Sequence, residues 1–317
     1  MGKVFNIISI DGGGILGLYS ADIISRIQHE YCDNQPLTQH FNLITGTSTG
    51  GIIALALSIG TSAKTIKKFY LDNGEKIFPK NKRKHLGFFN NKYSNKQLKT
   101  VLQTFFGNKT IKDCKCAVCI PAIDATTCQS IMFKTNNNGK LTRDENTNLV
   151  DIALATSAAP TYFPMHAFGE FQGLVDGGLW QNNPALCGVI EAIRNFVGEN
   201  KEYTSIKVLS IGNPNSAITQ GISAKNKKSS ILKWKGDLVT LPMKISSKAT
   251  DQILSFLFKE NSLGITNYTR INCQNIPIQY QKLKLDSADK ESYKQILELS
   301  SKDFNLNKDK LQQFFEE

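Results

Sequence analysis

Two glycine-rich turns, each between a strand and a helix, lie within the first sixty residues and constrain the fold more than any other feature. The first follows Val4–Ile10 (V-F-N-I-I-S-I), an apolar, β-branched run that reads as a buried parallel strand. It breaks at once into Asp11-Gly12-Gly13-Gly14, after which Leu18, Ile23, Ile24, Ile27 and Tyr31 recur at helical spacing. The second follows Phe41-Asn42-Leu43-Ile44, passes through Gly46-Thr47-Ser48-Thr49-Gly50 and enters a helix from Gly50 to Gly60. That helix is hydrophobic all round and therefore central. Strand, glycine turn, helix, stated twice, is the pattern of an α/β protein with a mostly parallel sheet.

Downstream, Thr61 to Thr110 reads as helix and loop, with a basic run at Lys80–Lys84 and aromatics at Phe88, Phe89 and Tyr93. Ala117–Asp124, Ser130–Lys134 and Lys207–Ile211 read as strands, Asn148–Ser157 as a short helix, and Asn136–Gly139 as a turn. Beyond about residue 215 the pattern changes to lysine-rich loops and amphipathic helices around Asp251–Phe258 and Lys290–Leu299. The expected division is a domain over residues 5–215 and a helical C-terminal extension over 216–317 packed on it.

The 317 residues are enough to bury a sizeable core. No signal peptide or bilayer-length apolar stretch is visible, so a soluble, cytoplasmic protein is expected. The seven cysteines form no even framework, which suits a reducing compartment. Cys114, Cys116, Cys119 and Cys128 cluster but lack paired C-x-x-C knuckles and a neighbouring histidine, so they read as free thiols and no metal is expected. The net charge of +11 is unevenly placed: residues 64–115 carry 14 Lys/Arg against three acids, and residues 225–248 carry seven lysines against Asp237. Such blocks suit an anionic surface. With no helix-turn-helix, zinc-finger or RNP signature beside them, a membrane fits better than nucleic acid.

Chemistry concentrates in three places. Ser48 sits in a G-x-S-x-G turn at a helix start, where a sharp bend exposes the hydroxyl and the helix dipole favours developing negative charge. Backbone amides of Gly12, Gly13 and Gly14, at the same edge of a parallel sheet, suit an oxyanion. Asp176, in Asp176-Gly177-Gly178 after the apolar Leu174-Val175, is a carboxylate able to take the serine proton. The histidines at 29, 40, 85 and 166 all precede Asp176, so none can follow it as the base of an ordinary Ser–Asp–His order. A triad would need Asp72, Glu75, Asp113, Asp124, Asp144, Glu145 or Asp151 as its acid. A Ser48–Asp176 dyad without histidine is the favoured reading. A rival is the dinucleotide fingerprint Gly12-x-Gly14-x-x-Gly17, with Asp33 as its acid, which leaves Ser48 and Asp176 unexplained. Another is a binding protein for lipid or nucleotide that keeps the fold without turnover.

The motifs resemble those of the patatin-like phospholipases, serine acyl hydrolases with a Ser–Asp dyad. Asp11–Gly17 (D-G-G-G-I-L-G) is similar to the family's oxyanion motif, Ser48 sits in its nucleophile motif, and Asp176 in its D-G-G/A motif. Ala155–Pro164 (A-T-S-A-A-P-T-Y-F-P) and Asp176–Pro184 (D-G-G-L-W-Q-N-N-P) also resemble family patterns. The likeness spans about residues 5–215, with Gly17, Gly46, Gly50, Gly177 and Gly178 in supporting positions. It implies a three-layer α/β/α fold, no cofactor or metal, and hydrolysis of acyl esters in membrane phospholipids met peripherally. Many members carry Arg or Lys where this chain has Leu16. A subset of bacterial members are antiphage effectors switched on by cyclic nucleotides, and the compact form with its C-terminal region is similar to that subset. Oligomeric state is left open.

Overall fold

In the computed structural model, which describes residues 2–79, 91–137, 139, 141–214, 237–273, 276, 280 and 283–316, the first apolar run forms β1 (Lys3–Ile10) inside an eight-stranded sheet. The basic run at 80–84, Phe88, Phe89 and most of the second basic block lie outside the described residues. After β1 come α1 (Gly17–Tyr31), β2 (Leu43–Gly46), α2 (Thr49–Ser58), α3 (Ala63–Ile77) and α4 (Asn95–Phe106). Then follow β3 (Ala117–Asp124), β4 (Gln129–Lys134), α5 (Leu149–Thr156), β5 (His166–Phe168) and β6 (Phe171–Asp176). The short α6 (Gly178–Gln181), α7 (Ala185–Asn195) and β7 (Tyr203–Ile211) complete the part of the chain before residue 215. The C-terminal part holds α8 (Asp237–Lys259), β8 (Ile265–Ile271), α9 (Lys290–Leu306) and α10 (Lys308–Glu316).

The sheet runs β5-β6-β3-β2-β1-β7-β8, with β4 also on β3. The pairs joining β3, β2, β1, β7 and β8 are parallel, and those of β4, β5 and β6 are antiparallel. Alternation along β1 serves two cores. Ile8 and Ile10 face α1, α2 and the C-terminal Ile296 and Phe304, while Phe5 and Ile7 face Ala185, Val189 and Leu254. Helices on both faces of one sheet give three layers, and each buried Ile or Phe contributes about 1.5–3 kcal/mol.

Three differences from the sequence expectation have plain causes. β2 begins at Leu43 rather than Phe41, because Phe41 and Asn42 are still held by the preceding turn and by Asn6, the Phe41 amide donating to Leu37 O at 2.9 Å. The strand around Lys207 starts earlier, at Tyr203, because β1 pairs along its whole length. The C-terminal region adds, besides the expected helices, a strand: β8 lies parallel to β7 at the sheet's edge. Its sequence, I-T-N-Y-T-R-I, is rich in β-formers but lacks the strand's alternation, because Ile265, Tyr268 and Ile271 recur at every third residue.

One detail of the topology creates the site. One edge of β3 pairs with β4 from Cys119 to Asp124. The other edge is therefore shared: β2 pairs Ala117–Cys119 in parallel, and β6 pairs Ala122–Asp124 in the opposite direction. The C-terminal ends of β2 and β6 thus meet head-on beside Pro121. The turn after β2 carries Ser48 and the last residue of β6 is Asp176.

Candidate active site

Ser48 is buried at the turn between β2 and α2 with φ 55° and ψ −122°, a region that non-glycine residues avoid. The surroundings hold it there. Its amide donates to Thr156 Oγ1 at 3.0 Å, and Thr156 Oγ1 in turn donates to Pro121 O at 2.7 Å. Gly46 and Gly50 permit the bend by close approach: a Cβ on Gly46 would overlap the Gly50 carbonyl, and one on Gly50 the Ile10 carbonyl. Two threonines to which the sequence assigned nothing are fastenings. Thr45 Oγ1 donates to Cys119 O at 2.6 Å, and Thr47 Oγ1 to Gln181 O at 2.7 Å.

Asp176 is buried at the end of β6. Its Oδ1 accepts the Gly178 amide at 2.7 Å, with Gly177 as the residue before α6. Burial pushes its pKa up to about 7, with the Ser48 hydroxyl and the Gly178 amide pulling the other way. Oδ2, also buried, has no hydrogen bond of ordinary geometry among the described residues, so the carboxylate is anchored by one oxygen only. A base that titrates near neutrality is well matched to a serine.

The loop from Asp11 to Gly14 is held from farther away. Asp11 is buried and accepts two bonds from the Arg270 guanidinium, Nη1 to Oδ1 at 2.7 Å and Nη2 to Oδ2 at 2.6 Å. Ser247 Oγ adds a third bond to Asp11 Oδ2 at 2.6 Å. The Asp11 carboxylate raises the pKa of the buried Arg270 still further. Gly12 corrects the sequence reading: its amide donates to Asn182 O at 3.0 Å, so it fastens the loop and is not free for an oxyanion. Gly12 O accepts from Asn213 Nδ2 at 2.9 Å. The amides of Gly13 and Gly14 have no acceptor among the described residues. Gly14 has φ 57°, and a Cβ there would overlap Leu285 O, which accepts the Ile15 amide at 2.8 Å. Gly17 opens α1 against Thr49. Leu16 is wholly buried, so no cation stands at that position.

Ser48 and Asp176 line one cleft of about 630 Å³, part of it open to solvent. Its walls are mostly apolar, among them Ile52, Phe69, Phe78, Phe163, Met243 and Leu285. The hydroxyls of Thr49 and Tyr70, which also reach it, are bonded to each other at 2.6 Å. Such a wall suits an apolar chain. The described histidines stay out of it. His166 pairs with Asp151 at 3.0 Å, His29 lies near Asn34, and His40 packs edge-on against Phe315. The acid–histidine couple that a triad would need therefore exists, Asp151 with His166, but neither residue lines the cleft. Among the described residues no group of three His, Cys, Asp or Glu side chains is placed to hold a metal ion.

Arg270, Ser247, Asn182 and Thr156 are the site residues that sequence reasoning missed. Asn182 lies within the D-G-G-L-W-Q-N-N-P stretch, and Thr156 within the A-T-S-A-A-P stretch, so their motifs were visible. Nothing marks Arg270 and Ser247 in the sequence, because their partner Asp11 is more than two hundred residues away.

Comparison with known proteins shows the family to which the chain is similar. The sequence profile named Patatin-like phospholipase matches residues 8–186. The chain is 33% identical to a cGAMP-activated phospholipase of Pseudomonas aeruginosa, over 88% of this chain and 81% of that one. It is 31% identical to a Vibrio cholerae protein of the same name, over 95% and 92% of the two chains. It is 30% identical to Patatin-like protein 2 of Arabidopsis thaliana, over 85% and 76%.

Proposed function

The chain belongs to the patatin-like phospholipase family, a family of lipid acyl hydrolases, and on that footing we propose that it cleaves acyl esters of membrane phospholipids with Ser48 and Asp176. One observation carries the assignment of roles: the turn after β2 and the end of β6 meet on one edge of β3, so serine and carboxylate line one apolar cleft. In this reading Asp176 takes the Ser48 proton as the oxygen attacks the acyl carbonyl, and the amides of Gly13 and Gly14 receive the oxyanion. Gly12 holds the loop. Asp176 returns the proton to the departing lysophospholipid, and then activates the water that frees the fatty acid from the acyl-serine.

The proposal divides the chain into a hydrolase domain, 5–215, and an extension, 216–317, that supplies Arg270, Ser247 and Met243 to the site. Two relatives are named for activation by cGAMP, and we extend that control to this chain: a cyclic nucleotide raises its activity, in keeping with an antiphage effector acting at the membrane surface. Among the described residues no helix is long and apolar enough to cross a membrane.

The test is fatty-acid release from phosphatidylcholine and phosphatidylglycerol vesicles, with and without cGAMP. Wild type releases fatty acid, more so with cGAMP, and Ser48→Ala and Asp176→Asn do not. Release that survives either substitution overturns the dyad. Equal release with and without cGAMP removes the activator. Folded wild type that releases nothing in any condition leaves a binding protein on a hydrolase fold.

A further inference from the structure

The helix α8 has one face that the site uses and one that it does not. On the buried face Met243 lines the cleft and Ser247 holds Asp11. Ser246 accepts the Asn182 amide at 3.1 Å and donates to Trp180 O at 2.8 Å. On the other side Leu241, Ile245, Ile253 and Phe256 stand 38%, 55%, 45% and 62% exposed. They make up half of the eight large hydrophobic side chains exposed among the described residues, so exposed apolar surface is gathered on one helix rather than scattered. At 100° per residue the four fall within an arc of about 120°.

One border of that arc is basic. Lys248 and Lys259 are exposed there, with Lys244 one step farther round. Of the acids nearby, Asp251 accepts the Tyr268 hydroxyl at 2.7 Å, and Glu260, whose amide donates to Phe256 O at 3.0 Å, closes the far end of the helix. An apolar stripe edged with lysines, on a helix that does not span a bilayer, has the chemistry of a helix lying in a lipid–water interface.

We infer that the exposed stripe of α8 is the surface by which this protein docks on an anionic lipid membrane. The inference rests on the phospholipase reading for its choice of partner. It adds the element that makes the contact and a reason for its place: the helix that enters the interface also forms a wall of the catalytic cleft, so docking brings the cleft to the lipid. A second copy of the chain would use the same apolar side chains but would have no need of the lysine border.

The test uses the full chain with the substitutions Ile245→Asp and Phe256→Asp, singly and together. Co-sedimentation with phosphatidylglycerol/phosphatidylcholine vesicles should weaken about tenfold per substitution, as expected for keeping one large apolar side chain out of the lipid. Turnover of a soluble short-chain ester should be unchanged, since neither residue touches the cleft. Ile245→Ser with Phe256→Ser, which adds no charge, should act in the same direction. Lys248→Glu with Lys259→Glu should weaken binding to anionic vesicles and leave phosphatidylcholine vesicles alone. Ser48→Ala protein should still bind vesicles while releasing nothing, so a failure of docking and a failure of the hydrolase reading are told apart. Wild-type vesicle binding by the double aspartate variant overturns the inference. So does a change from dimer to monomer in sedimentation velocity with vesicle binding intact, which would make the stripe a contact between copies.

Discussion

The nucleophile turn and the oxyanion loop leave neighbouring strands at the same edge of the sheet, yet they are secured in different ways. The turn around Ser48 is fixed by the close packing of Gly46 against Gly50 and by bonds to the middle of the chain, the Ser48 amide on Thr156 Oγ1 and the Thr45 and Thr47 hydroxyls on Cys119 O and Gln181 O. The loop from Asp11 to Gly14 is fixed by the far end of the chain: Arg270, Ser247 and Leu285. The first holds a residue in a strained conformation, and in the proposed mechanism the second presents amides to the developing oxyanion. The contrast implies that damage near Ser48 removes chemistry, whereas damage to the C-terminal region loosens the loop and removes stability with it.

The largest effect should come from Ser48→Gly. It deletes the nucleophile and lowers turnover by about 10⁴-fold or more, as for other serine hydrolases stripped of their serine. Because φ 55° suits glycine, the same protein should unfold at a higher denaturant concentration, by about 1 kcal/mol. A less stable variant would mean the turn is not strained.

Arg270→Ala probes the other side of the comparison. It leaves Asp11 buried without its cation and should cost about 3–5 kcal/mol in chemical denaturation. With a soluble ester its kcat should fall while KM changes little. The double variant Asp11→Ala/Arg270→Ala should recover part of the stability but not the kcat.

Burial raises the folded pKa of Asp176 from 3.8 to about 7, so between those values the folded protein keeps a proton that the unfolded chain releases. Wild-type stability therefore falls as pH rises through that window and levels off above it. Asp176→Asn, which cannot titrate, should match wild type near pH 4 and exceed it at pH 8 by on the order of 4 kcal/mol. Denaturant titrations at both pH values check this. An equal difference at the two pH values would contradict it.

The smallest effect expected is Thr47→Val, which strands the Gln181 carbonyl, costs about 1 kcal/mol and only modestly lowers turnover. A loss as large as that of Arg270→Ala would erase the distinction between the two regions.

The same contrast explains what the sequence made legible. β1, α2 and the Ser48 turn are written in local signals, an apolar run, a pair of glycines, a uniformly apolar helix, and the structure has them where those signals lie. The joining of Ser48 with Asp176 was legible as motif order, although the reason they meet, the shared edge of β3, is a matter of strand pairing that no local pattern carries. β8 and Arg270 were hidden for physical reasons: an edge strand needs little apolar alternation, and a buried arginine looks like any surface arginine until its carboxylate is located. Gly12 was misjudged because a run of glycines does not reveal which amide is already spent on a carbonyl.

The central claim is a serine with a carboxylate base and no histidine. The direct measurement is kcat/KM against pH for a soluble ester, for wild type and for variants replacing each of the four histidines by glutamine. A single rising limb near pH 7, kept in all four variants and absent from any residual activity of Asp176→Asn, is the predicted result. A limb that disappears with one histidine and persists in Asp176→Asn would contradict it.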